Sequence, residues 1–78
     1  MEYTYDEFKY FLEIGMEYLV YYNGKRYNIS QRRDLGEIYF TLSPSDYYTF
    51  TSCEELLNAP LLDGKTLLEQ WNFLNIIG

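Results

Sequence analysis

Lys25, Arg26, Arg32 and Arg33 fall within nine positions of one another, and no acid interrupts them. They are four of the six basic residues in a chain of net charge −6, so everything outside the stretch stands at −10, with twelve acids against Lys9 and Lys65. Tyr18, Tyr21, Tyr22, Tyr27 and Tyr39 crowd the same region. A planar guanidinium offers a fork of donors to phosphate or carboxylate, and an aromatic wall beside it can stack a base. The pattern points to the holding of an anion. The competing interpretation is a solvated loop whose cations partly neutralise acids such as Asp34.

Catalysis has far less to work with. The chain contains no His, which removes the usual general base, metal ligand and triad partner. Its one cysteine, Cys53, cannot build a zinc site, and it reads as a small buried hydrophobe rather than a nucleophile. No phosphate-loop, dinucleotide-binding or calcium-loop spacing occurs. The paired carboxylates Glu54 and Glu55 are explained by helix capping. The expectation is a non-enzymatic binding protein with no cofactor and no metal.

Composition narrows the setting. Seventy-eight residues make one domain, 1–78. Area scaling gives a folded surface of about 5,000 Å² and a buried fraction of roughly 63%, a thin core. Ten Tyr, five Phe and one Trp cannot all be central in so small a body, so several must line a surface, groove or interface. The negative charge opposes non-specific attraction to nucleic acid or anionic lipid. It serves solubility or mimics a polyanion before a basic partner. A lone cysteine, the lack of a basic-then-apolar leader, and the lack of any run of roughly 18–20 apolar residues give the expectation of a cytoplasmic protein without membrane attachment.

The elements that must position these groups are read from spacing. Thr4-Tyr5-Asp6-Glu7 has the capping-box form and starts a helix over about 5–14, stopped by Gly15. Asn23-Gly24 marks a type I′ hairpin turn. A two-residue loop sets Tyr22 opposite Lys25, Tyr21 opposite Arg26, Val20 opposite Tyr27, Leu19 opposite Asn28 and Tyr18 opposite Ile29. Alternation then puts Tyr18, Val20, Tyr27 and Ile29 under the helix and Leu19, Tyr21, Arg26 and Asn28 on the other face. A polar connection over 30–36 leads to a third strand at about 37–42, and a fourth, edge strand covers roughly 47–51. Ser52 to Glu55 caps a short helix that Pro60 ends. Thr66 to Glu69 predicts a last helix over about 67–74, and Ile76-Ile77 are placed to add a short strand or dock on the sheet. The expected fold is α+β: a small antiparallel four-stranded sheet with helices packed on one face, in the order α-β-β-β-β-α-α.

Three segments carry a resemblance: Asn23 to Ser30, Phe50 to Leu57, and Asp63 to Trp71. In their order and spacing the chain resembles a loose group of short acidic proteins of low-GC Gram-positive bacteria and their phages. That resemblance implies the fold and a phage or mobile-element setting. By analogy of size and charge, the setting implies an anti-defence factor acting in the host cytoplasm.

The ligand-binding candidates are Tyr21, Arg26, Asn28 and Tyr39 on the sheet face opposite the first helix, where Tyr48 is a further candidate, with Arg32 and Arg33 in the polar connection nearby. The expected partner is a small anionic, nucleotide-like ligand. The alternatives are a basic host protein met by the acidic surface, as an anti-CRISPR-like inhibitor would meet it, or an accessory protein with no ligand. An aromatic and arginine-bearing face is equally the composition of a homodimer interface, and a dimer is expected because the core is thin.

Overall fold

A computed structural model describes residues 4–78. The first helix, α1 (Tyr5–Glu13), begins where the Thr4 side chain accepts the Glu7 amide and the Glu7 carboxylate accepts the Thr4 amide, both near 3 Å. Phe8 and Leu12, one turn apart, are its fully buried residues. The helix ends at Ile14, and Gly15 follows at φ 103. α1 has no basic residue in its last turn. Its end is closed from a distance instead: Gln31 Nε2 donates to the carbonyls of Leu12 (2.8 Å) and Met16 (3.0 Å), and Arg33 donates to that of Ile14 (2.6 Å).

Strands β1 (Tyr18–Tyr22) and β2 (Lys25–Arg32) form the hairpin predicted from Asn23-Gly24, with both turn residues at positive φ. All five expected pairs are present, from Tyr22 with Lys25 to Tyr18 with Ile29. β2 runs further than the expected polar connection. It pairs through Ser30, Gln31 and Arg32 with β3 (Glu37–Ser43), and the tight turn at 33–36 closes a second hairpin. β4 (Asp46–Phe50) pairs with β3 across a bulge between Thr41 and Ser43. The short helix α2 (Cys53–Asn58) is capped by Ser52, while Glu55 reaches back to the amide and hydroxyl of Thr51.

The class expected from spacing, α+β with one antiparallel sheet, is the class observed, but the sheet has five strands in the order β4-β3-β2-β1-β5. The added strand, β5 (Leu74–Ile77), contains Ile76-Ile77, the pair expected to add a short strand or dock on the sheet, while the predicted helix over 67–74 is reduced to turns that end in a 3-10 turn at Trp71–Phe73. Thr66 and Glu69 do form their reciprocal cap. One turn later the bonds tighten to Trp71 on Leu68 and Phe73 on Gln70, and the chain leaves to pair along β1. A single helical turn is weakly held on its own. Pairing with the open edge of β1 satisfies a row of backbone groups and buries Leu74 and Ile76, and the β-branched Ile76-Ile77 suits a strand.

The core lies on one side of the sheet. Val20, Ile29, Phe40 and Ile76 from the strands meet Phe8 and Leu12 of α1 and Leu56 and Leu57 of α2. Trp71, half-buried, sets its ring 5.3 Å from both Phe8 and Tyr5. The accessible surface is 5079 Å², close to what chain length alone predicts. No described helix is long and apolar enough to cross a membrane.

Candidate functional site

Alternate residues of the same strands turn the other way, and the described helices lie on the core side only. Strand register places Leu19 and Tyr21 of β1, Arg26, Asn28, Ser30 and Arg32 of β2, Tyr39 and Thr41 of β3, and Ile77 of β5 on this open face. Across β4 the pairing of Thr41 with Tyr47 brings Tyr47 to it, with its ring edge-on to Tyr39 at 6.3 Å. Tyr48, the further candidate, pairs with Phe40 and so takes the covered-face parity. The ladder beyond the bulge decides which of these two adjacent tyrosines joins the open face, and spacing within β4 carries no such signal.

The middle of the face is lined by small polar side chains between larger ones. Asn28, Ser30 and Thr41 floor a cleft of about 480 Å³, with Leu19 and Ile77 on one flank and Glu17 at the rim. The Glu17 carboxylate accepts the Gln31 amide at 3.1 Å. Asn28 is half-buried, and its carboxamide oxygen is shielded from solvent and has no hydrogen-bond partner among the described residues. Such an acceptor is uncommon in folded proteins. Tyr21 and Arg26 stand directly opposite each other one step along the strands from the Leu19–Asn28 pair. Tyr39 lies diagonally across the same face, roughly 17 Å from Tyr21 by strand spacing. Its hydroxyl donates to Glu37 at 2.8 Å, and that bond holds the phenol protonated above the usual tyrosine range.

The four clustered cations separate in space. Arg26 and Arg32 lie about 20 Å apart along β2. Arg32 grips Asp34 with two nitrogens, at 3.3 and 3.0 Å, in an exposed pair that lowers the Asp34 pKa below its usual range. Arg33 is spent on the end of α1. Both line a separate hollow of about 260 Å³ that also contains Glu13 and Glu37. Lys25 is exposed beside the hairpin turn. Arg26 has no hydrogen-bond or ion-pair partner among the described residues. Of the six candidates only Asn28 lines the cleft; Tyr21, Arg26, Arg32 and Tyr39 share its face of the sheet outside its walls, and Arg33 lies off that face.

Cys53 packs half-buried against the core, and burial pushes its thiol above the ordinary value. Among the described residues, no three carboxylate or thiol groups gather at metal-binding spacing. Sequence reasoning passed over Ser30, Thr41 and Ile77 as cleft residues. The Asn23-Gly24 register extended by one residue reaches Ser30, but Thr41 and Ile77 arrive through pairings that no local signal encodes.

No protein-family model matches the chain, and comparison with curated proteins and with solved structures found no match.

Proposed function

We propose that this is a non-enzymatic binding protein that sequesters a small anionic, nucleotide-like ligand on the open face of its sheet. In the phage setting implied by the resemblance, such sequestration is the work of an anti-defence factor. The observation that carries the reading is an open-face cleft floored by Asn28, Ser30 and Thr41, with Tyr21 and Arg26 paired on the same face beyond its walls and Arg26 without a partner among the described residues. A base laid in the cleft would meet the polar side chains of Asn28, Ser30 and Thr41 at its floor. Tyr21 would stack, and Arg26 would meet the phosphate. Calorimetric titration with AMP and with cyclic dinucleotides tests it. Saturable binding of one of them that weakens at least about tenfold in a Tyr21→Ala, Arg26→Ala double variant is expected. No heat with any of them, or binding the double variant keeps in full, would overturn it.

One observation favours a second reading. The helical side of the molecule exposes Asp6, Glu7, Glu13 and Glu54 with Lys9 as the only cation on those helices. That surface suits a basic host protein, and the reading predicts salt-sensitive association with no small-molecule binding.

A further inference from the structure

The two edges of the sheet are guarded unequally. Before β4 stands Pro44, β4 itself begins with the exposed Asp46, and a bulge disturbs its pairing with β3. Proline, inserted charge and bulges are the devices that keep an edge from recruiting another strand. β5 has none of them. Its backbone makes the ladder with β1 and a bond from the Leu74 amide to Trp71, and among the described residues it makes no other hydrogen bond. From Gln70 to Gly78 there is no charged residue, in a chain of net −6. Two large apolar side chains flank the free edge: Phe73 is 72% exposed and Ile77 50%.

We propose that β5 is a self-association edge, where a second copy of this chain adds its own β5 antiparallel to the first and continues the sheet. Two arguments select a second copy over another partner. An antiparallel edge is its own complement under a two-fold axis normal to the sheet, which also keeps both helical layers on one side. Copies carrying −6 each repel one another, and this neutral segment is where they can meet without setting like charges together. A basic partner would be drawn to acids that lie elsewhere. A four-residue strand offers only about 14 Å of edge, so the contact belongs to the small, transient class and should be reversible. It does not depend on the ligand reading, because the contact is made by the backbone edge of β5, although the Ile77 side chain also flanks the cleft.

Sedimentation velocity between roughly 10 μM and roughly 1 mM reads the association, and hydrogen–deuterium exchange over the same range locates it. The expected result is a monomer–dimer equilibrium, with the amides of residues 75–77 slowing as concentration rises. Ile77→Lys should weaken the dimer about tenfold or more, because an edge lysine blocks strand addition. That change also lowers the net negative charge, so general repulsion alone would predict the opposite sign. A protein that stays monomeric throughout the range would overturn the proposal. So would a dimer whose β5 amides are indifferent to concentration, or one abolished by Tyr21→Ala, Arg26→Ala, which would put the contact on the open face. The exchange arm uses the unaltered chain and stands even if a variant misfolds.

Discussion

The two faces of one sheet share every backbone atom and differ in almost everything else. On the covered face Val20, Ile29 and Phe40 are almost wholly excluded from water, in one core cluster with residues of both helices. On the open face their sequence neighbours Tyr21, Asn28 and Tyr39 remain at least partly exposed and carry polar groups. Burial of large apolar groups supplies most of the free energy that holds so small a domain together. The open face is therefore released from that duty, and its side chains are at liberty to serve recognition.

Adjacent positions on β3 should expose the contrast most strongly. Phe40→Ala should cost about 3–5 kcal/mol in urea unfolding. Its neighbour Thr41→Ala, pointing the other way, should cost about 1 kcal/mol or less. Comparable losses at the two positions would mean that the open face is structural after all. A smaller effect sharpens how the covered layer is fastened at its end. Gly15 sits at positive φ, and a Cβ there would overlap the Arg33 guanidinium. Gly15→Ala should cost about 1–2 kcal/mol, and its combination with Arg33→Ala should cost less than the two single changes together. Strict additivity would show that the Arg33 contact with α1 is idle.

The smallest effect is electrostatic. Glu55 is held below the usual carboxylate range by its bonds from the Thr51 amide and hydroxyl, and Asp34 by Arg32. A carboxyl whose folded pKa is depressed contributes stability that is present above its unfolded value and is lost as pH falls through the folded one. Melting temperature should thus decline only on acidification below the ordinary carboxylate range, and Glu55→Gln should blunt that decline. Both groups are solvent-exposed, so the change should be slight, and a melting curve independent of acid in both proteins would remove any role for these contacts.

Where local physics is self-sufficient, spacing was enough to read the structure. Asn23-Gly24 demands positive φ at two adjacent residues, and the register of five pairs follows from that turn alone. The cap at Thr4 and the stop at Gly15 are similarly short-range. The segment after Thr66 shows the limit, since its capping box is real but governs a single turn before β5 joins the sheet. The candidate site divides the same way: Tyr21, Arg26 and Asn28 share a face because strand alternation requires it, whereas the gap between Arg26 and Arg32 follows from an extension of β2 that the polar residues 30–32 disguise.

Composition, caps and one turn thus determined by themselves the class of the fold, its first helix and its central hairpin, because each rests on bonds between residues a few positions apart. Tertiary structure alone decided that the C-terminal strand pairs with β1, that Arg33 serves the helix while Arg26 has no partner among the described residues, and that Thr41 and Ile77 meet Asn28 at one cleft. Those outcomes depend on which distant segments compete successfully for the same backbone groups and the same apolar surface, and that competition is settled only when the whole chain has collapsed.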